Sequence, residues 1–198
     1  MNKLSDNAYL LIRWTFATAF GPFVGFVFLF GFLDFSNVSW TTTVPISLAI
    51  IGTLMGVGQW AILRTLLKNI WPWIPLTTVG FFLSIPLGLF IAGGFLRGDI
   101  KMPITVGIVL GLAQWRVLSR QVKSSIWWIP ASILSWGIGL PITLAVEEYF
   151  TSDYLIWEKN MLVYGAGLGL LLGILVGVIS GMFLIFLMRR PRAIKKFG

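Results

Sequence analysis

Apolar positions dominate this chain in long, nearly unbroken runs, and polar positions collect between them. Six runs stand out: Tyr9 to Leu33, Val44 to Leu66, Trp73 to Phe95, Met102 to Leu118, Trp127 to Val146 and Met161 to Met188. A bilayer core of about 30 Å takes about 20 helical residues. Inside it the backbone must satisfy its own N–H and C=O groups, which a helix does within one segment. The pattern predicts an all-α integral membrane protein with six transmembrane helices. Its connections are short, so neighbouring helices should be adjacent and antiparallel. No polar stretch is long enough for a soluble domain, so residues 1–198 read as a single membrane domain. Lys3 and Asp6 precede a first run that is too long for the apolar region of a cleavable signal.

Part of the chain is written twice. Gly52, Gly56, Gln59, Trp60, Leu63, Lys68, Trp73, Ile74, Pro75, Pro86 and Leu89 return 55 residues later as Gly107, Gly111, Gln114, Trp115, Leu118, Lys123, Trp128, Ile129, Pro130, Pro141 and Leu144. These are 11 identities over 38 ungapped positions. They define two tandem helical hairpins, about 44–98 and about 99–153, a repeat that sets the architecture. Both hairpins cross in the same sense. They should therefore be related by rotation about the membrane normal, not by the inversion found in many transporters. The last and first helices extend the pattern. Gly181 and Arg189 repeat the spacing of Gly56 and Arg64, and Trp14 and Gly21 repeat that of Trp73 and Gly80. A degenerate third hairpin, split by the termini, would make a pseudo-threefold ring of six helices.

Charge orients the runs. Twelve Lys and Arg fall on one side: Lys3, Arg13, Arg64, Lys68, Arg116, Arg120, Lys123, Arg189, Arg190, Arg192, Lys195 and Lys196. Only Arg97, Lys101 and Lys159 fall on the other. The positive-inside rule then places both termini in the cytoplasm. Six of the seven acids, all but Asp6, lie on the opposite side. The net charge of +8 belongs to the ends of the spans, which makes it a topology signal and not a nucleic-acid surface. The basic run from Arg189 to Lys196 reads as a stop-transfer tail.

Several residues within the repeat need partners. Gln59 and Gln114 sit one to two turns from the cytoplasmic ends of their helices. A buried amide there is costly unless bonded. Two readings stand: an interhelical hydrogen bond, for example to a carbonyl freed by a proline kink, or a ligand contact in a shared cavity. Pro86 and Pro141 lie mid-span at matched depth and should kink both returning helices. Pro75 and Pro130 occupy first turns, where a missing N–H costs nothing. Gly165, Gly169, Gly173, Gly177 and Gly181 form a small-residue stripe along the last helix, suited to close packing within the protein or against a partner. Trp14, Trp60, Trp71, Trp73, Trp115, Trp127 and Trp128 gather near one interface, where an aromatic belt accounts for most of them. The matched pairs Trp60/Trp115 and Trp73/Trp128 ask for more, packing about the repeat axis or between hairpins. With Arg64, Lys68, Arg116, Arg120 and Lys123 they are also suited to an anionic lipid headgroup.

Little remains for catalysis. The chain has no Cys and no His, so thiolate chemistry, the usual zinc and haem ligands and the usual neutral-pH acid/base are absent. No nucleotide loop or metal spacing occurs, and few ionisable groups fall within the spans. No cofactor is expected. The doubled Gly-x-x-Gln-Trp-x-x-Leu followed by Trp-Ile-Pro resembles a group of bacterial polytopic membrane proteins of uncharacterised activity, common in cyanobacteria. They carry Gln-Trp-x-x-Leu-Arg hairpins, a Trp-rich loop and a Gly-rich helix. Arg64 fits that pattern, whereas the second copy has Ser119 and moves the Arg to position 120. The resemblance implies a bacterial inner or thylakoid membrane. The expected function is a non-catalytic accessory or structural subunit, partnered by lipids and other membrane proteins. The alternative is a small binding or transport protein for a lipid or hydrophobic solute, with a cavity between the repeats.

Overall fold

The structure, a computed structural model, describes residues 3–35, 39–92, 100–151 and 161–189. Among these, six long helices form: α1 (Lys3–Phe35), α2 (Trp40–Leu63), α3 (Trp73–Ala92), α4 (Lys101–Leu118), α5 (Trp128–Thr151) and α6 (Met161–Met188). A short 3-10 turn, Ser125–Trp127, leads into α5. The repeat boundaries near residues 98 and 153 and the basic tail beyond Arg189 lie outside the described residues.

Local chemistry sets the helix ends. Ser39 takes an extended conformation before α2, and its carbonyl accepts from the Thr42 and Thr43 N–H groups. Pro75 in the first turn of α3 gives up an N–H that had no helical partner. Within the helices, hydroxyls fold back on their own backbone. Ser47 donates to the Thr43 carbonyl, Ser84 to Phe81, Ser135 to Ala131 and Thr143 to Gly139. These four side chains thereby enter an apolar layer without orphaned donors.

Each helix packs against the next, and α6 packs along α1, so the six close into a ring. The interior has two apolar layers. One contains Trp14, Leu63, Trp73, Leu118, Trp128 and Leu184, and the other Met55, Phe81, Leu110, Trp136, Leu172 and Val176. Phe81 meets Trp136 edge-on at 5.3 Å in the second layer.

Among the described residues, five helices are long and apolar enough to cross a membrane, against the six expected. α4 is the exception. It has 18 residues, about 27 Å of rise, and they include Lys101, Thr105, Gln114 and Arg116. Thr105 and Gln114 are buried, so part of its polarity faces the protein interior.

Candidate functional site

The repeated polar residues converge in the first apolar layer, and three tryptophans organise it. Trp14, Trp73 and Trp128 are buried and touch one another edge to face. Their ring centroids are 6.3 Å apart for Trp14–Trp73, 5.9 Å for Trp14–Trp128 and 5.8 Å for Trp73–Trp128. This nearly equilateral triangle fills the centre of the ring at that level. T-shaped contact suits indole quadrupoles, but each N–H still needs an acceptor.

The two glutamines supply two of the acceptors. Trp73 Nε1 donates to Gln59 Oε1 at 3.0 Å, and Trp128 Nε1 donates to Gln114 Oε1 at 2.8 Å. Each amide nitrogen then donates to a threonine of the preceding helix. Gln59 Nε2 reaches Thr18 Oγ1 at 3.1 Å, and Gln114 Nε2 reaches Thr77 Oγ1 at 3.1 Å. A longer contact of 3.4 Å runs from Gln114 Nε2 to Gln59 Oε1. The result is one buried chain of donors and acceptors across α1 to α5. The partners are indoles and hydroxyls, not a carbonyl freed at Pro86 or Pro141. Pro86 itself is exposed on the outer surface, and α3 and α5 run unbroken through both prolines.

Trp14 finds a different acceptor, Ser180 Oγ at 2.9 Å. Ser180 in turn donates to the Val176 carbonyl at 2.7 Å. The contacts around the glycines explain why serine stands there. A methyl group on Gly56 would meet Ile74 and Thr77, one on Gly111 would meet Ile129 and Ser132, and one on Gly177 would meet Thr15 and Thr18. In each case the neighbours lie one and four residues after an axial Trp. Four residues earlier, Gly52, Gly107 and Gly173 face Thr78, Ile133 and Ala19, each five after the Trp. Gly177, not Gly181, therefore corresponds to Gly56. The match of Gly181 to Gly56 expected from the sequence spacing is one helical turn out of register. Three residues on from these glycines stand Gln59, Gln114 and Ser180. Seven on stand the fully buried Leu63, Leu118 and Leu184. Arg189 then falls level with Lys68 and Lys123, not with Arg64.

The glycine stripe of α6 is used within the chain. Gly165 faces Phe26 and Phe30, Gly169 faces Pro22 and Phe23, Gly173 faces Ala19, Gly177 faces Thr15, and Gly181 faces Leu11 and Trp14. All of these belong to α1, so the stripe closes the ring and offers nothing to a partner subunit. Compared with protein-family models, curated proteins and solved structures, the chain matches none.

Trp60 and Trp115 stay away from the axis and are only half-buried. The Arg64 guanidinium lies over the Trp60 ring at 4.7 Å. Lys68, Arg116, Arg120 and Lys123 are exposed at the same end of the ring, as are Trp71 and Trp127. Two connections meet there. The Lys68 N–H donates to Gln121 Oε1 at 2.8 Å, and Gln121 Nε2 donates back to the Lys68 carbonyl. Asn69 follows with φ 49°, a left-handed conformation that Asn tolerates better than most residues. The turn sends Ile70 into the core and leaves Trp71 outside.

Proposed function

We propose that this chain is a six-span, non-catalytic membrane protein of pseudo-threefold design, acting as an accessory or structural subunit. Its hairpins are α2–α3, α4–α5 and the terminus-split pair α6–α1. α4 counts as a span on this reading because α3 and α5 enclose it and its buried Gln114 and Thr105 face the interior. The excess of Lys and Arg at the Trp71 and Trp127 end supports cytoplasmic termini. The resemblance points to a bacterial inner or thylakoid membrane.

One observation carries the accessory reading over transport. The level at which both glutamines would line a cavity is occupied by Trp14, Trp73 and Trp128 in mutual contact. Both glutamine amides are engaged with protein groups. Since the Gly stripe is spent on α1, a partner subunit would meet the outer aromatic faces, such as Phe16 and Phe20 of α1 or Phe82 and Phe90 of α3, all exposed. Gentle solubilisation followed by mass determination in detergent tests this. A co-purifying membrane protein or a stable complex is expected. A chain that stays alone under several mild conditions counts against it. Uptake of a hydrophobic solute into protein-containing vesicles would favour transport instead.

A further inference from the structure

Like charges are held together where the α2–α3 and α4–α5 connections meet. Gln121 grips the Lys68 backbone in both directions, so two cationic connections cannot drift apart. Lys68 sits on one of them. Arg120 adjoins Gln121 on the other, and Arg116 stands four residues earlier, in the last turn of α4. All three are exposed, and none pairs with a carboxylate among the described residues. Two exposed indoles, Trp71 and Trp127, flank the junction. Indole is favoured at headgroup depth, so the cations lie at the level of lipid phosphates. Clustered cations repel one another unless an anion offsets the repulsion. A topology signal requires positive charge on this side, but it does not require two connections latched side by side.

We propose that this junction is a binding site for the phosphate headgroup of an anionic phospholipid. Lys68, Arg116 and Arg120 supply the charge, Trp71 and Trp127 supply the interfacial seat, and Gln121 sets the spacing. The site rests on the membrane-spanning reading but not on the accessory role. A chain that proves to have no protein partner leaves it untouched.

The test is native mass spectrometry of the full chain in mixed micelles of detergent with phosphatidylglycerol or phosphatidylcholine. Preferential retention of phosphatidylglycerol is expected. Arg116→Gln with Arg120→Gln should weaken it by about 30-fold, at ~1 kcal/mol per cation removed. Arg13→Gln with Arg189→Gln, which removes two exposed charges elsewhere at the same end, should change it less than about 3-fold. Gln121→Leu keeps every charge and should still weaken binding several-fold. Helix content by circular dichroism checks that each variant is folded. Equal losses in the two double variants would reduce the site to diffuse charge and overturn the proposal. An unaffected Gln121→Leu variant would overturn it too. Displacement of the lipid by millimolar inorganic phosphate would make this a soluble-anion site and overturn the lipid assignment.

Discussion

Replacing Gln59 with leucine should remove the acceptor that lets Trp73 stand at the centre of the ring. The Trp73 N–H is fully buried and has Gln59 Oε1 as its partner at 3.0 Å. A buried donor left without an acceptor costs about 1–3 kcal/mol. The bond to Thr18 adds about 0.6 kcal/mol, the typical interhelical value in membranes. Thr18 can recover by turning to its own helix, as Ser and Thr do. The loss should total about 2–3 kcal/mol, or about 30- to 150-fold in the folding equilibrium. Gln114→Leu should cost about the same, since it orphans Trp128 and releases Thr77. The assay is equilibrium unfolding in dodecylmaltoside with rising sodium dodecyl sulfate, followed by circular dichroism and Trp fluorescence. A double-mutant cycle with Trp73→Phe isolates the indole bond, and a coupling of about 1–2 kcal/mol is expected. Additivity within about 0.5 kcal/mol, or a neutral Gln59→Leu, would refute the network as a source of stability.

Four further substitutions probe the packing in the same assay. Gly173→Ala places a methyl against the Ala19 backbone, so α1 and α6 must separate and about 1–3 kcal/mol is lost, whereas Gly167→Ala opens onto free space and should be neutral or gain up to about 1 kcal/mol. Equal effects from the two would contradict the stripe's role. Thr15 Oγ1 is buried without a partner among the described residues, so Thr15→Val should stabilise by about 1 kcal/mol, and a loss would mean the hydroxyl has an acceptor after all. Ser180→Gln places at the α6–α1 seam the residue type that accepts from Trp73 and Trp128, yet should cost about 1–3 kcal/mol through overpacking against Trp14, and a stabilised variant would show that this seam has room for an amide.

Much of the architecture was legible in the chain, and the parts that were not have identifiable causes. The apolar runs located all six helices, and the spacing from Trp14 to Gly21 correctly put α1 beside α6. The pairing of those helices was misread by one turn because Gly165, Gly169, Gly173, Gly177 and Gly181 recur every four residues. Such a ladder matches itself equally well when shifted by four, and only the neighbours Thr15, Thr18 and Ala19 break the tie. Trp14 passed for a member of the interfacial belt because no Gln stands opposite it. Its acceptor, Ser180, is a residue type that seldom attracts notice in an apolar helix. Thr18 and Thr77 were missed as glutamine partners. A signal was there: Thr18, Thr77 and Ser132 each lie four residues after an axial Trp. Proline position alone said nothing of which face a proline takes, so a kink reading of Pro86 did not reveal that it points outward.

The difference between Ser180 and the two glutamines follows from how the ring is closed. The α2–α3 and α4–α5 seams are tied by the connections between them, and Gln121 ties those connections together. The α6–α1 seam joins opposite ends of the chain and has no such tie. It must be held by contact alone, and its five glycines bring the backbones close along the whole length of the seam. At that approach a serine hydroxyl, reaching only one bond beyond Cβ, already lies 2.9 Å from the Trp14 nitrogen. In the other two seams the acceptor must extend two bonds further, which is the reach of a glutamine amide. All three seams thus meet one requirement, an acceptor for an indole at the axis. The side chain that meets it is set by how close the helices stand.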